Sequence, residues 1–248
     1  MPFELPVIVP EWPAPKAVRA LATTRLGGVS QSPWESLNLG GHVGDSLADV
    51  AANRRRLAAS AGLNPGQLGW LEQVHSSVVV SQPSKGVPKA DASVTRQRHQ
   101  ACTVLTADCL PVLFCDQAGT CVAAAHAGWR GLAGGILERT VAAMGVPAQD
   151  LMAWMGPAIG PKSFEVGPEV RAEFVAADPW AARAFNPVGA RAGHFMADIW
   201  QLAKWRLESA GLTQVYGGGL CTASDPGRFY SFRRDGRTGR MASLVWLD

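Results

Sequence analysis

The chain has 248 residues, 47% of them hydrophobic, and a net charge of +3 from 23 Lys and Arg against 20 Asp and Glu. That size suits a single domain with a sizeable core, and so mild a charge does not argue for a nucleic-acid partner. No apolar run approaches the roughly 18–20 residues of a membrane span, and no secretory leader pattern opens the chain. The five cysteines, an odd number, fit reduced thiols in a cytoplasmic protein. The 27 Gly and 17 Pro point to turns and sheets rather than to a helical bundle.

Residues 1–16 hold five prolines and predict an irregular lead-in that covers a sheet edge. A strand follows over 18–24 and leaves through Gly27-Gly28. A strand ending in a glycine turn with hydroxyls can present backbone N–H groups to an anion, but no GxxxxGK[ST] or GxGxxG is present. Ser36–Gly41 is a second loop of this type, with His42 after it as an exposed loop histidine. Residues 47–61 predict a helix capped by Asp45 or Ser46 and stopped by Gly62. Val50 and Leu57 form its buried stripe, and residues 53–56 its exposed, charged face. His75 falls between short strands at 68–71 and 78–80, and Ala90-Asp91-Ala92 opens another strand.

Apolar runs at 102–106 and 111–115 have strand length, broken by Ala107-Asp108-Cys109-Leu110. Residues 116–119 predict a hairpin turn with Gly119 at positive φ, and 120–125 a third adjacent strand ending at His126. Cys102, Cys115 and Cys121 lie inside these strands as small core residues. A helix follows with Ile136, Leu137, Val141 and Met144 on one stripe. Beyond it come a strand at 151–155, a constrained loop at 156–161, a strand at 163–166 and a helix at 168–176. Residues 178–194 show no clear pattern. The sequence then predicts a helix at 196–208, short strands at 215–216 and 220–221, and a tail hairpin over 229–246 with a basic, glycine-containing turn.

Three metal-competent side chains stand at strand breaks: His75, Cys109 and His126. Two imidazoles and a thiolate suit Zn²⁺ and leave a fourth position for water, as a catalytic site needs. The same groups without metal make a cysteine nucleophile with a histidine base. No compact metal motif decides between these readings or against both.

The segments TTRLGGVS, SLNLG, LEQVH, ADAS, TADCLPVLFCD, AAAHAGWRG, GPAIGPKSFEVG and FYSFRRDGRTGRMASLVWL, in this order and spanning Thr23 to Leu247, resemble the YfiH-type laccase-domain family, the polyphenol-oxidase-like purine nucleoside phosphorylases. The resemblance implies an α+β fold over 1–248, one layered domain with a mixed β-sheet flanked by helices. It implies a zinc site at His75, Cys109 and His126, with copper the less favoured ion. It also implies phosphorolysis of adenosine, inosine and S-methyl-5′-thioadenosine, and hydrolytic deamination of adenosine. In that chemistry Asp108 is the candidate proton shuttle, Arg25 and Arg130 the candidate phosphate clamp, and Asn38 a candidate contact to ribose or base. The expected partners are a purine nucleoside and phosphate, with no nucleic acid and no membrane, for a monomer or small homo-oligomer. Rival expectations are a copper-dependent polyphenol oxidase, a metal-dependent amidase editing cell-wall nucleotide precursors, and a non-enzymatic binding module.

Overall fold

Alternation along the strands sorts the core into layers. In the computed structural model, which describes residues 5–248, Val18, Ala20 and Ala22 of the strand Val18–Thr23 pack with Leu113, Cys115, Val122 and Ala124. Leu21 of the same strand points the other way, onto Leu57 and Ala58 of the helix Leu47–Ala61. The next sheet repeats the pattern: Val112, Phe114, Ala123 and Ala125 turn away from the first sheet and meet the helices Ile136–Met144 and Ile199–Ser209. The period of two therefore yields helix, sheet, sheet and helices in four layers. This is a mixed α+β fold.

The first sheet has five strands in the order Val7–Ile8, Val18–Thr23, Met241–Leu247, Ala101–Thr106 and Leu68–Gly69. The second has six: Gln214–Gly217, Leu151–Met155, Leu110–Asp116, Val122–Ala127, Ala92–Thr95 and Val79–Ser81. Both mix parallel with antiparallel pairs. A three-stranded patch joins Glu165–Val166, Phe195–Ala197 and Phe185–Asn186. No helix among the described residues is long and apolar enough to cross a membrane.

Several expectations change. The three consecutive strands are not adjacent: Ala101–Thr106 belongs to the first sheet, and only Leu110–Asp116 and Val122–Ala127 pair, with Pro111 opposite His126. Residues 107–109 carry the chain from one sheet to the other, and Asp108 at φ +93° makes that bend. The lead-in is not wholly irregular, because Val7 and Ile8 pair with Thr23 and Ala22; residues 1–4 of that expectation lie outside the described residues. Residues 178–194 contain the 3₁₀ helix Pro179–Ala184 and the strand Phe185–Asn186. The helix expected from 196 starts at Ile199, since pairing with two other strands pulls Phe195–Ala197 into a sheet, and Asp198 caps the helix instead. The tail is no hairpin. Ser231 accepts from Arg234 N and caps a helical turn, Phe232–Asp235, before the chain enters Met241–Leu247.

Asn53 also departs from the exposed face expected for it. It is fully buried on the helix Leu47–Ala61. Its amide oxygen accepts from Val29 N (2.9 Å), and its nitrogen donates to Ser30 Oγ (2.9 Å), Ser36 O (3.1 Å) and Asn38 O (2.9 Å). One side chain thus pins two loops to a helix, and losing it strands buried polar groups. Asn53→Ala is expected to cost about 2–4 kcal/mol, read as a drop of roughly 2–4 °C in Tm per kcal/mol by thermal unfolding.

Candidate metal centre and its cavity

His126 lies near the end of the strand Val122–Ala127, beside the residue that precedes Ala92–Thr95. That residue is Asp91, and no part of it reaches solvent. Its Oδ1 is 2.8 Å from His126 Nδ1 and accepts from His75 N at 3.0 Å. Its Oδ2 accepts from Val74 N (3.2 Å), Ser76 N (2.6 Å) and Ser76 Oγ (2.7 Å). Burial alone would raise this carboxyl, but the bonds from His126 and Ser76 outweigh it and hold the pKa at about 2. An ionised acceptor places the imidazole proton on Nδ1 and leaves Nε2 as the lone-pair donor. The same carboxylate cradles the turn that carries His75, whose backbone sits at φ +59°.

Cys109 arrives from the sheet-to-sheet crossing. The donor atoms of His75, Cys109 and His126 all lie within 4.8 Å of one another. Tetrahedral zinc would draw such atoms to about 3.3–3.6 Å, given Zn–N near 2.0–2.1 Å and Zn–S near 2.3 Å. His75 is exposed, His126 buried and Cys109 between the two, so the exposed imidazole is the group able to close the gap. Burial and the neighbouring His126 lower the pKa of His75, which favours its neutral, ligating form. At His126 burial also opposes the charged form, but Cys109 and Asp91 prevail and push the pKa to about 9; a cation bound here would take the place of a proton.

Gly128 completes the fit. A Cβ built there would stand 2.7 Å from His75 Nδ1 and 3.0 Å from Cys109 Sγ. Its φ of −61° suits any residue, so what requires glycine is the room taken by the donor side chains.

The trio opens into a cavity of about 420 Å³, within the usual range for a small-molecule site. Ile159, Phe164, Ile199 and Phe232 bring apolar surface to its lining, while His42, Arg130, Arg233 and Arg240 bring nitrogen donors. Phe232 is 59% exposed, a large aromatic left open at the cavity.

The other expected site residues divide. Asp108 and Arg130 line the cavity. The Asp108 carboxylate accepts from Thr222 Oγ1 (2.6 Å) and Arg233 N (2.6 Å), and Arg130 is exposed, stacked over Trp129. Arg25 and Asn38 are not among the lining residues. Arg25 donates to Glu35 O and Pro226 O and lies over the Tyr230 ring. Asn38 is fully buried and has all its hydrogen-bonding positions filled, by Gly40 N and O, Asp45 Oδ2 and Arg240 N. His42, taken from sequence as merely exposed, faces the cavity. Asp91 and Gly128 fall within the ADAS and HAGWRG segments, but neither shows its role without the partner it meets in space.

The family model described as multi-copper polyphenol oxidoreductase laccase matches residues 19–248. The chain belongs to this family. As a laccase-domain protein it is 58% identical to a purine nucleoside phosphorylase of Pseudomonas aeruginosa over 97% of this chain and 98% of that one. It is 51% identical to the purine nucleoside phosphorylase YfiH of Escherichia coli, again over 97% and 98%. The crystal structure of a Neisseria meningitidis protein superposes on this laccase-domain fold with a TM-score of 0.94 at 52% identity, covering 98% and 99% of the two chains.

Two substitutions test the centre. Asp91→Asn replaces an acceptor oxygen with a donor facing backbone N–H groups, and metal affinity is expected to fall roughly 10–100-fold in a chelator competition. Gly128→Ala is expected to abolish stoichiometric metal binding while far-UV circular dichroism stays that of the parent.

Proposed function

We propose that this protein is a zinc-dependent purine nucleoside enzyme acting in the cytoplasm. Its reactions are phosphorolysis of adenosine, inosine and S-methyl-5′-thioadenosine, and hydrolytic deamination of adenosine. The observation that carries the reading is the convergence of His75, Cys109 and His126 on a cavity lined by both apolar side chains and a set of guanidinium groups. A purine is flat and apolar on its faces, and phosphate is an anion; the two kinds of wall match the two substrates. The family relationship to enzymes named purine nucleoside phosphorylase supports the same reading.

His75 and His126 through nitrogen, and Cys109 through sulfur, would hold the cation. When bound, it would supply Lewis-acid polarisation of an oxygen ligand at its open position. Asp91 keeps His126 in the ligating tautomer. Phe232, its ring largely exposed, offers a face for the base to stack on, and Arg130, exposed and without an ion pair among the described residues, offers a donor fork to phosphate. Asp108 shuttles the proton to the leaving group by exchanging one of its two bonds, to Thr222 or to Arg233, for one to substrate.

The donor set of two imidazoles and one thiolate also suits a single copper ion. A multicopper oxidase needs further clusters, and among the described residues this is the one group of three or more such donors. Donor count therefore favours the single-ion nucleoside enzyme.

Incubation with adenosine and phosphate, followed by chromatography, is expected to give adenine with ribose 1-phosphate, and inosine, at rates at least 100-fold above Cys109→Ala. Product no higher than in that variant would overturn the reading and leave the amidase as the alternative. Metal analysis of protein made without added copper is expected to find about one zinc per chain.

A further inference from the structure

We propose that Arg240, with His42 beside it, is a further residue that holds inorganic phosphate in this cavity, opposite number to the exposed Arg130; the assignment rests on the phosphorolysis reading above. Arg240 lines the cavity together with Cys109. Its guanidinium donates through one nitrogen, NH1, to Thr238 O (3.1 Å) and Gly239 O (3.0 Å). Among the described residues it has no carboxylate partner, which leaves Nε and the second terminal nitrogen with their donors unspent. Burial lowers its pKa and outweighs Asp108 and Cys109, which act on its charge from a distance without pairing with it.

The surrounding chain is built to hold this arginine in place. Asn38 Oδ1 accepts from Arg240 N (2.9 Å), and Leu39 N donates to Arg240 O (3.1 Å). Gly40 is bare where the arginine stem passes: a Cβ there would lie 2.8 Å from Arg240 Cγ. The loop containing Asn38 and Gly40 and the segment before the last strand, 202 residues apart in the case of Asn38 and Arg240, thus meet to position one guanidinium. His42 follows that loop and lies within the electrostatic reach of Arg240 and Arg54. Arg54 is already spent on Leu39 O and stacked over Trp70. Of the other cavity arginines, Arg233 donates to Glu165 O.

The unspent donors of Arg240 form a planar fork that matches two oxygens of a phosphate. In the reaction, an oxygen of HPO₄²⁻ bonds to C1′ of the ribose as the C1′–N9 bond breaks. The electron pair of that bond goes to the purine, and the phosphate's proton passes to the leaving base. The products are ribose 1-phosphate and the free purine. Arg240 holds and orients the nucleophile and takes no proton.

The test uses the full-length, metal-loaded protein with inorganic phosphate as the probe. Arg240→Ala and Arg240→Lys are compared with the parent by ³¹P NMR titration and by steady-state phosphorolysis. The expected result is a rise in the phosphate Kd and KM of roughly 10–100-fold for Ala, the size of a lost charged hydrogen bond, and a smaller rise for Lys, which keeps charge but not the fork. The KM for nucleoside is expected to move less than about threefold. Gly40→Ala, which displaces the stem, is expected to raise the phosphate KM in the same direction. Unchanged metal content and Tm show that each variant is folded. A phosphate Kd and KM within threefold of the parent in folded Arg240→Ala would overturn the subsite while leaving phosphorolysis standing. Loss of phosphate binding in that variant, in a protein that cleaves no nucleoside, would instead sustain the subsite and overturn the reading of function.

Discussion

A buried carboxylate with no solvent to share organises this molecule's site. Asp91 satisfies its oxygens entirely within the protein, on one imidazole, one hydroxyl and three consecutive backbone N–H groups. Those bonds do two jobs through one group. They set the tautomer of His126, and they hold the Val74–Ser76 turn in which His75 takes a left-handed backbone. An imidazole pair on two different elements is placed where it could share a cation because a single anion addresses both.

The sandwich supplies the rest of the geometry. The crossing at 107–109 takes the chain out of the first sheet and into the second, so Cys109 emerges at one end of the shared core. His126 reaches the same end on the neighbouring strand, in register with Pro111. Loops from distant parts of the chain then wall the cavity, and their own polar groups are tied off internally. Asn53 and Asn38 are the clearest cases: both are buried, and both spend their amides on backbone and side-chain groups of the protein. This division leaves the Arg240 guanidinium, which faces the cavity, without an ion pair among the described residues. Two bare glycines serve the same end, Gly128 under the donor trio and Gly40 under the arginine stem.

Much of the fold was legible from local rules. The helix Leu47–Ala61 begins after Ser46 and ends at left-handed Gly62, as its capping signals require. Gly119 turns the hairpin at φ +67°, and the strand Leu151–Met155 has its expected bounds. The misassigned segments share one cause. Phe195–Ala197 is drawn into a sheet by two distant partners, and the 229–246 tail is folded into a helical turn where Arg234 donates to Thr222 O, Ala223 O and Phe229 O. Neither partner set leaves a trace in the local period.

By itself the sequence determined the kinds of donor available, their placement at the ends of elements, and the family to which the ordered motifs point. It could do so because capping, alternation and glycine turns act over a few residues, and because residue type alone limits what can bind a soft cation. Only the tertiary structure decided that Asp91 belongs with His126, that Gly128 must stay bare, and that Arg240 rather than Arg25 faces the cavity. Those outcomes depend on which buried polar groups find each other across sheets and loops, and that pairing is settled by packing in three dimensions, where separation along the chain carries no weight.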